Sequence, residues 1–209
     1  MNGIFYPIFR KVQEVNMQFE YRTIENLTRA FIRKAQNTTL LSFYADKASK
    51  SGYEIIKDTL KKIESYEKIH AEIFYIRLLE NFNTESELQS IVLDNVEVNL
   101  STLEIVDDLL NIINIEEKAS KFYQAASVDA ENEGFLEISK LFKYVATVSS
   151  RITEELKVLY EEVKTDAVFV KEDINKWLCS KCGYLHMSSQ APEICPLCKQ
   201  AKANFYVEK

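Results

Sequence analysis

Glycine and proline are scarce in this sequence, at four and three of 209 residues, and histidine is scarcer still at two. So few turn-forming residues exclude collagen-like, loop-rich and many-stranded β architectures, whose turns need them at short intervals. Two histidines leave little room for Ser-His-Asp chemistry, and no Gly-rich phosphate loop or nucleophile elbow is visible. No stretch approaches the roughly 20 apolar residues that cross a bilayer. Residues 4–9 (IFYPIF) are apolar but too short and Pro-broken for a signal-peptide core, and no small-residue cleavage site follows. The expectation is a cytoplasmic protein without a membrane segment, in which thiols stay reduced and paired cysteines read as metal ligands before disulfides.

What is present is charge, 28% of residues, on a hydrophobic complement of 46%, the balance of an amphipathic helical protein. The charge is uneven. Residues 176–209 hold five lysines against two glutamates, a net of +3, so the formal total of −6 leaves −9 on residues 1–175. An acidic body argues against nucleic-acid binding, and a basic tail suggests docking on the acidic body of its own chain or of a partner. Lysine-rich runs such as residues 57–68 read as alternating-charge helix faces.

Apolar residues recur at alternating spacings of four and three, the pattern of a buried helical stripe. The first stripe runs Leu27, Phe31, Lys34, Thr38, Leu41, Ala45, Ala48, with a helix start at Thr23 and Asn26 and a stop at Ser51-Gly52. The second runs Ile56, Leu60, Ile63, Glu67, His70, Phe74 and lasts to about Asn81. Residues 82–100 are too long for a tight hairpin and read as a crossover. The third helix, about 101–131, offers Ile112, Ile115, Lys118, Phe122 and Ala125 or Ala126, ending at Glu133-Gly134. The fourth runs Ile138, Phe142, Val145, Ser149, Ile152, Leu156, Leu159, Val163. Four such segments with one long connection make a ferritin-like four-helix bundle. Lys34, Glu67, His70, Lys118 and Ser149 are polar where the period demands burial, which is costly unless they pair or coordinate a metal.

The tail carries two CxxC knuckles, Cys179/Cys182 and Cys195/Cys198, with twelve residues between them. Four thiolates so spaced form a tetrahedral cage that suits iron or zinc, and spacing favours neither. Gly183 permits a tight turn behind the first knuckle and Pro196 stiffens the second. His186 reads as a surface or interface residue, because four thiolates already close the shell.

These residues resemble rubrerythrin. The tail matches its W-x-C-x-x-C-G-Y-x-H, A-P-x-x-C-P-x-C and K-A-x-F segments at Trp177 to His186, Ala191 to Cys198 and Lys202 to Phe205. Ala30-Phe31, Gly52-Tyr53, Glu67 to Ala71 and Glu133 to Phe135 resemble the family within the bundle. The likeness covers about residues 20–209. It implies a mostly α chain in four parts: an N-terminal extension (1–19, with Met17 an alternative start to Met1), a ferritin-like bundle (20–165), a linker (166–175) and a small rubredoxin-like domain with a four-cysteine metal site (176–209).

The family reduces hydrogen peroxide at a diiron site ligated from all four helices, fed with electrons by the rubredoxin-like centre and usually assembled as a dimer. By resemblance, Glu67 and His70 are residual diiron ligands. The other ligand positions are replaced, by Lys34 on the first helix, Ile115 and Lys118 on the third, and Ser149 and Ile152 on the fourth. Glu116 and Glu117 lie off the inward direction by a step of about 100° each, and Glu154 and Glu155 lie on the outer side. The expectation is one iron (or zinc) on Cys179, Cys182, Cys195 and Cys198, no diiron centre, and a Lys34 or Lys118 ammonium in the vacated space, paired with Glu67 beside His70 and Ser149. Three readings of function stay open: an electron-transfer protein tied to oxidative-stress defence, a peroxidase with an altered site, and a zinc-holding structural or regulatory module. A homodimer and a redox partner protein are expected; whether the chain is an enzyme is left open.

Overall fold

The computed structural model describes residues 21–82 and 104–208. The expected extension at 1–19 and, beyond Phe82, the expected crossover lie outside them. Four long helices come first: α1 (Arg22–Lys50), α2 (Glu54–Phe82), α3 (Ile105–Asn132) and α4 (Leu136–Lys164). A small sheet follows, built of β1 (Val170–Cys179), β2 (Leu185–Gln190) and β3 (Phe205–Val207), with β1 central and both pairings antiparallel. The molecule is mostly helical, as the scarcity of turn residues predicts.

α1 packs along α2 and α3 along α4, each hairpin closing on a glycine in the left-handed region, Gly52 at φ 81° and Gly134 at φ 86°. Cross-helix contacts fix the directions. Arg22 and Thr23 at the start of α1 donate to Glu133 just past α3, while Lys47 near the end of α1 pairs with Asp108 near the start of α3 at 2.6 Å. α1 and α3 are therefore antiparallel, α2 and α3 run the same way, and the end of α2 lies at the opposite end of the bundle from the start of α3. Such a chain needs one long connection, the ferritin-like arrangement. The expected helix start at Thr23 shifts to Arg22, because the orphan amides of the first turn are satisfied by Glu133 from α3 rather than by a side chain of α1 itself.

The bundle core is two apolar layers. One gathers Leu41, Ala45, Ile56, Leu60, Ile63, Leu109, Ile112, Ile152 and Leu156. The other gathers Leu27, Ala30, Phe74, Tyr123, Ala126, Ile138, Phe142 and Val145. On every helix, the residues between the two layers are polar and buried: Lys34 and Asn37, Glu67, Glu116, Ser149. The sheet has its own small core of Trp177, Cys179, Ala191, Cys195 and Phe205. It abuts the α1–α2 turn, where Phe169 stacks on Tyr53 with centroids 6.0 Å apart, and Ser180, Asn204 and Tyr206 face Ile55 and Asp58 across a shallow hollow. The tail thus meets its own bundle mainly through an aromatic stack and the base of α2, helped by ion pairs such as Lys171 with Glu162 at 2.6 Å.

Candidate functional site

The four cysteines converge as their spacing predicts. β1 delivers Cys179 at its end, and the Ser180–Lys181 turn returns Cys182; the second knuckle brings Cys195 and Cys198 opposite. All four Sγ atoms lie within 4.8 Å of one another, and the pairs Cys179–Cys198 and Cys182–Cys195 are each 3.7 Å apart. A tetrahedron with metal–sulfur bonds of about 2.3 Å has edges of about 3.8 Å. The cage fits one metal ion, and no disulfide joins any of the four.

The two knuckles have the same backbone. Gly183 N–H donates to Cys179 O at 2.9 Å and Lys199 N–H to Cys195 O at 3.0 Å, and both donors are left-handed, at φ 73° and 61°. Pro196 lies inside the second knuckle; the turn itself is closed by Lys199, a residue type that adopts this conformation at a cost. The Tyr184 amide donates to Cys182 Sγ, and the Leu197 and Cys198 amides to Cys195 Sγ. Trp177 is fully buried beneath the cage and anchored by its Nε1–H to Ser188 O at 3.0 Å. His186 is half-buried, its ring 6.5 Å from that of Tyr184.

The second constellation fills the polar layer of the bundle. Lys34 reaches from α1 with no exposure and donates to Glu67 Oε1, with Glu116 Oε2 3.7 Å from the same ammonium. Asn37, one turn on, donates its amide to both carboxylates, at 3.1 Å to Glu67 and 3.3 Å to Glu116. His70 Nδ1 is 3.7 Å from Glu67 Oε1. The Tyr123 ring faces the ammonium at 5.4 Å, a cation–π distance. Ser149 and Ile152 close the layer from α4, both fully buried.

Burial opposes the Lys34 charge, but Tyr123, Glu116 and Glu67 around it more than compensate and hold the ammonium well above lysine's ordinary range. Burial also works against the charge of Glu67, and Lys34, His70 and Asn37 overcome it, holding the carboxyl below its usual value. Glu116 goes the other way: burial foremost, with Glu67 adding to it against Lys34, pushes it up to about 7. Burial likewise raises the Tyr123 phenol, which is neutral.

Of the positions expected in this layer, Lys34, Glu67, His70, Ser149 and Ile152 are brought together. Ile115 and Lys118 are not: Ile115 is half-buried and Lys118 exposed, and the inward residues of α3 are Glu116 and Ala119. The stripe on α3 runs Leu109, Ile112, Glu116, Ala119, Tyr123, Ala126, Ala130, one residue later than expected from Ile115 onward. A lysine from α3 therefore has no part in the cluster, and a second carboxylate does. That stripe was available in the sequence as an unbroken 3-4 spacing, but from Glu116 onward it holds a carboxylate, three alanines and a tyrosine, and the purely apolar Ile115 and Phe122 beside it concealed it. Among the described residues, the four cysteines are the one group of three or more His, Cys, Asp or Glu whose ligand atoms converge.

Residues 177–206 match the family described as "Rubrerythrin, rubredoxin-like domain". Over nearly the whole chain, it is 28% identical to "Rubrerythrin-1" of Clostridium acetobutylicum, covering 89% of this chain and 94% of that protein. It is 29% identical to a "Putative rubrerythrin" of Methanocaldococcus jannaschii, covering 93% and 95%. Among solved structures, nigerythrin in its fully reduced, all-ferrous state aligns with a TM-score of 0.58 at 21% identity, over 94% of this chain and 91% of that one. At that identity the likeness speaks for the fold.

Proposed function

From a chain that is rubrerythrin-like in sequence and fold and carries a converged cage of four cysteines, we propose an electron-transfer protein that binds one iron per chain at Cys179, Cys182, Cys195 and Cys198. The observation that carries it is the contrast between a cage of four converged thiols and a bundle interior whose centre is an ammonium. Iron held by four thiolates exchanges a single electron with little rearrangement. The chain's own contribution is to keep that arrangement fixed. The two knuckle turns set the sulfurs, three amides donate to them and so raise the potential, and Trp177 and Phe205 shield the buried side of the cage from water.

The bundle layer does not fit a dinuclear site. Two metals need several anionic oxygens from all four helices; here α1 offers Lys34 and α4 offers Ser149 and Ile152, and the ammonium stands against both carboxylates. Its charge takes the place of the metals, which leaves the bundle as scaffold. The cage abuts the base of α2, and Glu67 stands twelve residues beyond Ile55, roughly 18 Å up that helix. We place the protein in peroxide and oxidative-stress defence on its likeness to rubrerythrins, as a cytoplasmic homodimer that serves a redox partner protein.

One observation favours a peroxidase with an altered site: Glu116 points inward, so the layer keeps two carboxylates and a histidine. Metal content and turnover separate the readings. One iron per chain, a visible iron–thiolate spectrum and no peroxide turnover support electron transfer alone. Three irons with turnover overturn it in favour of the peroxidase, and one zinc with no visible band overturns it in favour of a structural module.

A further inference from the structure

The two knuckles share a backbone but not a closing residue. Gly183 closes the first at φ 73° and Lys199 the second at φ 61°, each donating its amide to the first cysteine of its own turn. Glycine takes that conformation freely, whereas a lysine there gives up backbone stability. Strain kept beside a site points to a use for the side chain that carries it. Lys199 is exposed and brings no apolar burial, so what it brings is its ammonium. The side chain folds back over its own turn, where Nζ donates to the Pro196 carbonyl at 3.0 Å. One cation is thereby tethered to the knuckle that holds Cys195 and the partly exposed Cys198. Among the described residues no carboxylate pairs with it. Glu193, two residues before Cys195, is bonded to Lys202 at 2.7 Å, and Lys181 of the first knuckle acts on Glu54 of the bundle.

We propose that Lys199 is a potential-setting residue, whose ammonium, tethered at Pro196 beside Cys195 and Cys198, favours the reduced state of the cage. The inference deepens the electron-transfer reading and rests on it. Four thiolates leave one negative charge around a ferric ion and two around a ferrous one. The electron comes from the redox partner protein, and no bond or proton changes place. A fixed cation attracts two charges more strongly than one, so Lys199 draws the equilibrium towards the ferrous state and raises the potential. It acts in the same direction as the amides that donate to sulfur, but through a charge that salt screens. At the solvent edge the effect is modest. A unit charge across several ångströms of a water-like medium shifts the redox equilibrium roughly threefold, which for one electron is about 28 mV.

The test is spectroelectrochemical titration of the full-length, iron-loaded chain beside Lys199→Asn and Lys199→Arg. Asparagine adopts the left-handed turn without the charge, and arginine keeps the charge. Expected is a potential lowered by that roughly threefold factor in Lys199→Asn and held near wild type in Lys199→Arg. The difference between wild type and Lys199→Asn should shrink as ionic strength rises from about 0.01 M to 1 M. Should Lys199→Asn fail to hold iron, Lys199→Gly takes its place with the same expectation. Equal potentials in wild type and the neutral variant overturn the proposal, as does a difference that salt leaves unchanged. A Lys199→Arg shift as large as that of the neutral variant also overturns it, by assigning the effect to the shape of the turn. A cage that takes up zinc alone and shows no visible redox couple overturns the electron-transfer reading beneath it.

Discussion

Two clusters of ligand-type side chains share this chain, and they are held by opposite means. In the tail, each pair of cysteines is set by a backbone turn, and the turn is set by one left-handed residue and by amides that point at sulfur. In the bundle, the groups are spread over four helices at inward positions, and the helix backbone does not depend on which residue stands there. Lysine, serine and isoleucine therefore occupy the layer while α1 and α4 run on unbroken. Donors mounted on turns are kept or lost together; donors mounted on helices are replaced singly. The cost of each replacement is then decided by how the remaining charges pair.

The largest test of this contrast is Cys195→Ser. It removes one corner of the cage, and metal-linked folding energy of order 10 kcal/mol goes with it. Loss of the bound metal and of the visible spectrum is expected, with the helical far-UV signal of the bundle unchanged. A fall in helix content would break the separation of the two units. Next is Lys34→Met, which leaves two carboxyl groups buried without their ammonium; a destabilisation of about 3–5 kcal/mol is expected from the denaturation midpoint. Adding Glu67→Leu should recover most of it, because an apolar pair can replace a buried ion pair.

The pH dependence sharpens the bundle side. A carboxyl raised in the folded state from 4.5 to about 7 contributes stability that is full below the unfolded value and is lost as pH rises to the folded one. Glu116 should therefore cost the protein about 3 kcal/mol between about pH 4.5 and pH 7, read as the wild-type curve minus that of Glu116→Gln. Glu67, lowered in the fold, acts in the opposite sense below 4.5, where acid removes its contribution. Smaller still is Lys199→Gly, expected to stabilise the tail by about 1 kcal/mol, since glycine takes the left-handed turn without strain. Smallest is Lys118→Ala on the exposed face of α3, within about 0.5 kcal/mol of wild type in thermal unfolding. A large effect there would contradict the register.

The cage was legible in full, because CxxC pairs state their geometry in their spacing. The bundle was legible where its stripes are apolar and bulky, which is why Lys34, Glu67 and Ser149 stood out as intruders. It was illegible on α3, where the inward face is Glu116, Ala119, Tyr123, Ala126 and Ala130. The inward residues next to Ile115 and Phe122 carry polar groups, the Glu116 carboxyl and the Tyr123 hydroxyl, and a reading weighted towards purely apolar side chains slips to these outer neighbours. One slipped residue turns a position by about 100°, and that turned an exposed lysine into a supposed core residue and hid the second carboxylate. The cap on α1 was beyond reach for another reason: it comes from Glu133, on the far side of the α2–α3 connection in sequence.

That long-range cap has a dynamic consequence. Most helices fray from their ends because their first amides are held by nearby side chains or by water. The Arg22 and Thr23 amides are held by a carboxylate belonging to the other hairpin. Hydrogen exchange at these two positions therefore responds to parting of the two hairpins as well as to rotation of the Glu133 side chain. Protection there marks how well the two hairpins stay closed over the interior layer.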